Sequence, residues 1–536
     1  MGLLTSLTDF VSGFMPWVKR RAELRARWGL PGEGDAARAT WYFDQVRRLL
    51  DPAAVVDDKT WSDLEFPTLF KSIDTTITPI GRQYLFAYLR TYEFDQEEQD
   101  RRRQAYEVLG SNQALREKIQ LTLKPLAVDS AAYMADLFLG PEPEKVPYHG
   151  LVVPCTLLAI AAIPVAIAHL APFWVCMLPF IANMMIAGII DVKLKLSVEA
   201  LLDCGRLLEV ANRIAGIRTT DSIGYLRRLQ ADTQERRELK SQVRALSWLN
   251  DLRSIDFVGG FVVILDLLFL LKFFLYAQSI GRFLRSRARW VPTFQLIGAL
   301  DASIAVTGFL GRYPALCRPN VVSDPVIAVE NGYHALIREP VKNSILLRGS
   351  SALVTGSNMS GKTTFIKMVA MNVIFGHTIG VCLADRATLP RSPVRALIRG
   401  EQSVEEGKSR YFAEAEAIRD FIAESATGVC RIFILDEPFS GTNTIERIAV
   451  AKAVLGAIGA RAQLLVTTHD VELQHLLGRN FELFYFQEDP TVETFFDHRL
   501  HSGASTQRNA IRVLERLGYP SDIIAEALAT VPSIER

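Results

Sequence analysis

The 536-residue sequence has no excess of either charge: 60 Lys+Arg face 59 Asp+Glu, for a formal net charge of +1. With no global basic field to draw the whole molecule to nucleic acid, any such contact has to be local. Cysteine is scarce and scattered. Cys155, Cys176, Cys204, Cys317, Cys382 and Cys430 show no CxxC and no Cys/His spacing, which argues against a zinc site or a disulfide frame and fits a reducing compartment. They read as small buried hydrophobes. A cleaved signal is missing too: in MGLLTSLTDFVSGFMPWVKRR the basic residues follow the apolar part, and no small-residue cleavage pattern appears. An amphipathic surface helix remains open there. At this length one compact core is not enough, so two or more domains are expected.

Uninterrupted apolar sequence is abundant in one place. Residues 1–145 read as a helical region with charged faces, as in ATWYFDQVRRLL and ITPIGRQYLFAYLRTY, where apolar residues recur at spacings of three and four. From Gly150 the pattern breaks into GLVVPCTLLAIAAIPVAIAHL and PFWVCMLPFIANMMIAGII, two runs of roughly 20 residues without Asp, Glu, Lys or Arg. This predicts a transmembrane helical hairpin over 150–190, within a segment 146–192. Lys193, Lys195, Arg206, Arg213 and Arg218 follow the second run and the connecting turn has no cation, so both ends are expected in the cytoplasm. A third apolar segment, Phe257 to Ala277, contains Asp266 and Lys272. A single extra crossing there would separate the C-terminal half from the cytoplasm, so it is expected to be a buried or membrane-apposed core helix within a helical region 193–325. The localisation that follows is a multi-pass protein of the cell inner membrane with its C-terminal domain in the cytoplasm.

Beyond about residue 290, short apolar runs (SALVTG, CRIFILDEP, AQLLVTTHD, FELFYFQ) alternate with helical stretches, the pattern of a mostly parallel α/β sheet. The fold class read from the whole chain is therefore α + α/β, with the α/β domain over 326–536. SALVTGSNMSGKTTFIKMVAMNVI places Gly356, Gly361, Lys362 and Thr363 in G-x-x-x-x-G-K-[ST] spacing between a strand and a helix. In such a P-loop, residues Gly356, Ser357, Asn358, Met359, Ser360, Gly361, Lys362, Thr363 and Thr364 wrap ATP phosphates. Lys362 would reach the β/γ-phosphates and Thr363 would ligate Mg²⁺. In RIFILDEPFSGTNTIERIAVAKAV an apolar strand ends in Asp436 and Glu437, one carboxylate suited to the Mg²⁺ shell and its neighbour to the attacking water. LLVTTHD ends another strand in His469, within expected reach of a γ-phosphate.

Taken together these segments resemble the DNA mismatch-repair MutS family. TGSNMSGKTTF is similar to the MutS P-loop including its Asn358-Met359 pair, LDEPFSGTNTIER to its Walker B segment, and TTHDVEL to its switch-histidine segment. EEGKSRYFAEAEAI is similar to the family's signature segment, with Ser409 and Glu414 matching and Arg410 and Tyr411 departing. LFKSIDTTITPIGRQYLFAYL resembles the start of the MutS core, IGALDASIAV its returning lever helix, and DPVIAVENGYHALI the entry to the ATPase. GASTQRNAIRVLERLGYPSDIIAEAL resembles the dimerising helix-turn-helix tail. The resemblance implies a Mg²⁺-dependent ATPase whose homodimer opens and closes with the ATP cycle. Ser409 would complete the partner's site, and the associated process would be DNA mismatch repair. The family's Phe-x-Glu mismatch reader is absent from the first 60 residues, and the hairpin stands in part of the interval where a DNA clamp would be inserted. The alternative is a membrane-anchored, ATP-driven scaffold or regulator that does not bind DNA directly; an ABC-transporter-like subunit is disfavoured because LSGGQ is missing.

Overall fold

The computed structural model describes residues 16–32, 38–142, 149–219, 223–253, 256–357, 359–398, 410–429, 432–487, 496–504 and 518–534. Among the described residues, the first helices are α1 (Pro16–Arg27), α2 (Thr40–Val46), α3 (Asp58–Asp63), α4 (Phe66–Ile73), α5 (Pro79–Arg90), α6 (Gln96–Ser111), α7 (Gln113–Leu123) and α8 (Met134–Leu139). Then follow α9 (His149–Ile167), α10 (Phe173–Ala215), α11 (Gly224–Ala231), α12 (Thr233–Arg253), α13 (Asp256–Phe269) and α14 (Leu271–Leu310). The chain separates into two compact units: Met1–Leu50 with Phe70–Tyr88 and Asp100–Arg312, and Asp51–Leu69 with Leu89–Gln99 and Tyr313–Arg536. The amphipathic helix considered for the first residues lies outside the described residues up to residue 15.

In the first unit, the C-terminal half of α14 is buried on every face, with Ile297, Leu300, Ile304 and Phe309 at or near zero exposure. A helix apolar all round belongs in a core. Its one buried carboxylate, Asp301, gathers three donors: it accepts from the Ile77 N–H at 3.0 Å, the Thr78 N–H at 2.8 Å and the Thr78 hydroxyl at 2.7 Å. These are the groups that enter α5, so Asp301 does for that helix what an N-cap side chain ordinarily does. Gly81 makes the approach feasible, since a Cβ there would stand 2.2 Å from Asp301 Oδ2, and a Cβ on Gly298 would stand 2.8 Å from Tyr84. Two stretches singled out in the sequence, 69–89 and 297–306, are thus partners. Burial pushes the Asp301 carboxyl up to about 6 despite these donors.

The two apolar runs form α9 and the first part of α10, an antiparallel pair turned at His169 (φ 53°). Their burial is the reverse of a water-soluble pair. Small side chains face inward (Ala159, Ala162, Cys176, Ala187), while Leu157, Leu158, Ile160, Trp174, Ile181 and Met185 point out with half or more of their surface exposed. Among the described residues, two helices contain an 18-residue stretch long and apolar enough to cross a membrane: Phe173–Ile190, of which 22% is buried, and a stretch within α14, of which 94% is buried. Length and composition do not distinguish them; burial makes the second a core helix. The segment 257–277, expected as one helix, is two. Leu270, at φ 52°, ends α13 and begins α14.

Among the described residues, the second unit holds ten strands. β1 (Asn320–Val322), β2 (Val326–Gly332), β3 (Asn343–Arg348) and β5 (Arg386–Pro390) form one sheet in the order β1-β5-β2-β3. The other runs β10-β9-β4-β8-β7-β6, built from β4 (Ser351–Thr355), β6 (Val394–Leu397), β7 (Ile432–Asp436), β8 (Gln463–Thr468), β9 (Phe481–Tyr485) and β10 (His501–Ser502), all parallel except β10. Its helices are α15 (Lys362–Thr378), α16 (Arg410–Thr427), α17 (Thr444–Gly459), α18 (Glu472–Leu477) and α19 (Ser521–Ile534). No shift in composition marks residues 51–69 as part of this unit; their role is to cover an edge. Thr60 Oγ1 accepts from Ala396 N at 2.9 Å and Asp63 Oδ2 from Ile398 N at 2.8 Å, closing the open side of β6.

Replacing Asp301 by Ala strands three buried donors and should lower unfolding stability by ~2–4 kcal/mol. Asp301→Asn keeps an acceptor and removes the titration. Because the folded carboxyl holds its proton more tightly than the unfolded chain, its contribution is full below about pH 4 and falls as pH rises to about 6. Denaturant unfolding of the detergent-solubilised protein should therefore show wild-type stability declining relative to Asp301→Asn by roughly 2–3 kcal/mol between those limits; a difference flat with pH would contradict it.

Candidate functional site

β4 is buried at all five positions and lies between β8 and β9, with Thr355 opposite Thr468 on one side and Tyr485 on the other. β7 lies beyond β8, Asp436 opposite Thr467. Since these strands are parallel, their carboxyl ends share one edge, the edge at which open α/β sheets bind ligands. The P-loop leaves β4 there, Asp436 and Glu437 end β7, and His469 follows β8. Residues 113 apart in sequence, Gly356 and His469, come within 3.0 Å.

The turn after β4 depends on backbone conformations that glycine favours. Gly356 has φ 146° and Gly361 φ 110°; a Cβ on Gly356 would stand 2.9 Å from the Phe486 carbonyl oxygen and 3.0 Å from Ser360 Oγ. Gly361 opens α15, so the backbone N–H groups of Lys362, Thr363 and Thr364 lie in its first turn. Lys362 Nζ donates to the carbonyl oxygens of Gly356 and Ser357, both at 2.8 Å, and lies 3.9 Å from Glu437 Oε1. Burial lowers its pKa to about 8, with Glu437 and Asp436 opposing the shift. An anion on the P-loop would favour the ammonium form further. Met359 is exposed, Ser360 Oγ is buried without a partner, and Asn358 lies outside the described residues.

The Thr363 hydroxyl lies 3.1 and 3.0 Å from the two oxygens of Asp436, and Thr467 Oγ1 also donates to Asp436. Among the described residues, no group of three or more His, Cys, Asp or Glu is assembled that could hold a metal by itself. One carboxylate and one hydroxyl, all oxygen, fit Mg²⁺ in the manner in which phosphate and water oxygens complete its shell. Glu437 sits in the left-handed region at φ 49°, its N–H bonded to Thr467 O at 3.0 Å. This orientation directs its carboxylate onto His469 Nε2. A left-handed non-glycine residue costs energy, and its place beside these two groups is where such strain is found in functional sites.

The helix after the signature-like stretch packs on the loop that follows Glu437. Glu414 Oε1 accepts from Phe439 N at 2.7 Å, and a Cβ on Gly441 would stand 3.2 Å from Tyr411. Ser409, the residue singled out for the partner's site, lies outside the described residues. Arg447, close in sequence, is directed elsewhere: its guanidinium makes two bonds to Asp470, at 2.9 and 2.6 Å.

Beside the P-loop opens a cavity of about 380 Å³ that no sequence pattern announces. Ile337, Pro340, Val341 and Met368 give it apolar walls, His334 and His498 add imidazoles, and it continues to Gly361, Lys362, Thr363 and Glu437. Burial brings the His334 pKa down to about 4, so that ring is neutral at physiological pH. His498 Nδ1 lies 3.1 Å from Ser360 O, against the P-loop. Among the described residues that line the cavity, Lys362 is the sole lysine or arginine. The pocket draws on four separated stretches, 334–343, 359–368, 437 and 498; the P-loop and Glu437 are legible in the sequence, whereas 334–343 and His498 carry no motif.

Comparison with known proteins agrees with this geometry. Residues 352–535 match the family model MutS domain V. A protein named DNA mismatch repair protein MutS from Haloquadratum walsbyi is 28% identical over 249 residues, covering 43% of this chain and 26% of its own length. Proteins of the same name from Roseiflexus sp. and Chloroflexus aurantiacus are 27% identical over 269 residues and 28% over 263, covering 46% and 45% of this chain and 24% and 26% of theirs. The chain thus spans about a quarter of the length of the curated relatives it matches. The domain match falls on the strands, P-loop and carboxylates just described, so residues 352–535 of this chain are similar to MutS domain V.

Proposed function

We propose that this protein is a Mg²⁺-dependent ATPase of MutS type that works as a dimeric switch anchored in a membrane. The observation that carries the reading is the convergence of Lys362, Thr363, Asp436, Glu437 and His469 at one sheet edge, next to a cavity with apolar walls. The cavity takes the base and ribose, and the P-loop amides and Lys362 hold the phosphates. Thr363 and Asp436 would hold Mg²⁺, which would supply positive charge against the phosphates. Glu437 takes the proton of the attacking water, and His469, fixed between Glu437 and the Gly356 carbonyl, orients it.

Lys362 alone leaves one side of a γ-phosphate without a counter-charge, because Arg447 is held by Asp470. Ser409 of a second copy fills that side, with its hydroxyl and the start of α16. Tyr519, Ile523 and Leu528, around and in α19, expose apolar surface that a second copy would cover. α9 and the first part of α10 form a transmembrane hairpin with both ends in the cytoplasm, which keeps domain V where ATP is. The outward Leu, Ile, Trp and Met side chains support this, since water disfavours them and acyl chains do not. The names of the relatives bring DNA mismatch repair to this chain as the process it serves, through DNA bound at the helical unit. The hairpin favours the alternative of a membrane scaffold that moves protein partners.

Lys362→Ala should weaken nucleotide binding at least tenfold or so, whereas Glu437→Gln should still bind ATP and hydrolyse it roughly 10²-fold or more slowly; equal loss of binding in both would contradict the assignment. Measured in detergent with homoduplex, mismatched and branched DNA, the wild-type rate should respond to mismatched duplex, and indifference to all three would assign the scaffold role instead.

Ser409→Ala should largely spare ATP binding and slow hydrolysis. Mixed one to one with Lys362→Ala, it should regain roughly a quarter of the wild-type rate, because half the dimers are mixed and each has one intact site. A mixture no more active than its parts, despite verified subunit exchange, would count against the shared site. The protein should stay in the membrane fraction after a high-salt wash and leave it when 150–190 is deleted; extraction of the intact chain by salt would sink the anchor.

A further inference from the structure

α13 and the start of α14 form a second helical hairpin beside α9 and α10, broken at Leu270. Its outer surface has the same character as theirs. Phe261, Val263, Ile264, Leu265 and Leu267 are 40–62% exposed, while Val262 and Asp266 face inward at 6%. Breaking a helix strands carbonyl groups at the end of one segment and N–H groups at the start of the next, which water would satisfy without help and hydrocarbon would not. Here protein satisfies them. Thr156 of α9 donates to Phe269 O at 2.9 Å, Asn183 of α10 donates to Leu268 O at 2.6 Å, and Asp266 accepts from Lys272 N at 2.6 Å. Asn183 is fully buried, and Phe180 stacks edge-on against Phe269 with centroids 5.7 Å apart.

The depth of the break is consistent from both neighbours. Thr156 lies seven residues after His149 and Asn183 seven before Ile190, so on two antiparallel helices each sits about 10 Å from the cytoplasmic end of its apolar run. α13, with 14 residues, is about 21 Å long, too short to cross about 30 Å of hydrocarbon. We propose that α13 and the start of α14 are a re-entrant hairpin that enters the bilayer from the cytoplasmic side, turns at Leu270 about a third of the way across against Thr156 and Asn183, and packs its outer face on lipid acyl chains. The inference rests on the membrane reading of α9 and α10. It also removes the difficulty of a third crossing: the chain enters and leaves on one side, so the third apolar segment adds membrane contact without moving domain V across. A broken helix closed by side chains from its neighbours is the form that irregular backbone takes at membrane depth.

The test uses a full-length cysteine-free variant in phospholipid vesicles, with one nitroxide at a time on Leu158, Met185, Phe261, Ile264 or, as a water-side reference, Ser241. Collision with oxygen, which concentrates in acyl chains, is compared with collision with a neutral nickel chelate, which stays in water. Labels at Phe261 and Ile264 should favour oxygen several-fold, as those at Leu158 and Met185 do, with Ser241 reversed. Lipid-like Leu158 and Met185 with water-like Phe261 and Ile264 would overturn the re-entrant hairpin and leave the first hairpin standing; water-like labels at all four would remove both. In intact cells an impermeant maleimide should reach Ala171→Cys from outside but not Leu267→Cys. Reaction at both would mean that the tip crosses, which overturns the proposal as well.

Discussion

Asp436 is the point on which the candidate site depends. Its carboxylate meets hydroxyl groups from Thr363, at the start of α15, and from Thr467, in β8, and so joins the three parallel strands that carry the P-loop, the paired carboxylates and His469. Parallel register decides this. Because Asp436 is opposite Thr467 and Thr355 opposite Thr468, every strand delivers its last residue to the same edge. Glu437, one residue beyond, is turned by a left-handed backbone so that its carboxylate meets His469 and not Thr363. Two adjacent acidic residues thereby acquire different neighbours, two hydroxyl groups for Asp436 and an imidazole for Glu437.

The helical unit applies a related device to a different end. Asp301 is buried in α14 and its carboxylate takes the place of a cap for α5, a helix more than two hundred positions earlier in the chain. Gly81 and Gly298 exist at that crossing because larger residues would collide with Asp301 and Tyr84. Along the same helix, toward Leu271, the requirement changes. The break at Leu270 is closed by Thr156, Asn183 and Asp266, and large apolar side chains turn outward around it. One 40-residue helix thus runs from the break at Leu270 to a tightly packed core.

Sequence by itself determined the elements whose chemistry is local. The P-loop spacing, the acidic pair at the end of an apolar strand and the histidine at the end of another are short-range patterns, because phosphate binding needs consecutive backbone amides and a helix start. The two charge-free runs were legible for the same reason, since about 20 apolar residues in a row are a property of one segment. The resemblance assigned Leu69–Leu89 to the start of a core and Ile297–Val306 to a lever helix separately; Asp301 and Gly81 show that the two stretches are packed together.

Tertiary structure decided whatever required several distant segments at once. The cavity beside the P-loop takes residues from four stretches, of which 334–343 and His498 have no pattern of their own, so no window of sequence displays it. Residues 51–69 joined the α/β unit because β6 had an edge to cover, a need that exists only once the sheet has formed. Periodicity offered no sign of the break in the segment 257–277, as an apolar run looks the same straight or folded; the turn at Leu270 needs Thr156 and Asn183 from other helices to satisfy its carbonyl groups. Apolar length was equally silent on which of two long helices is a core helix, and packing separated them: the C-terminal half of α14 is enclosed by its neighbours on every side, and the first part of α10 is not.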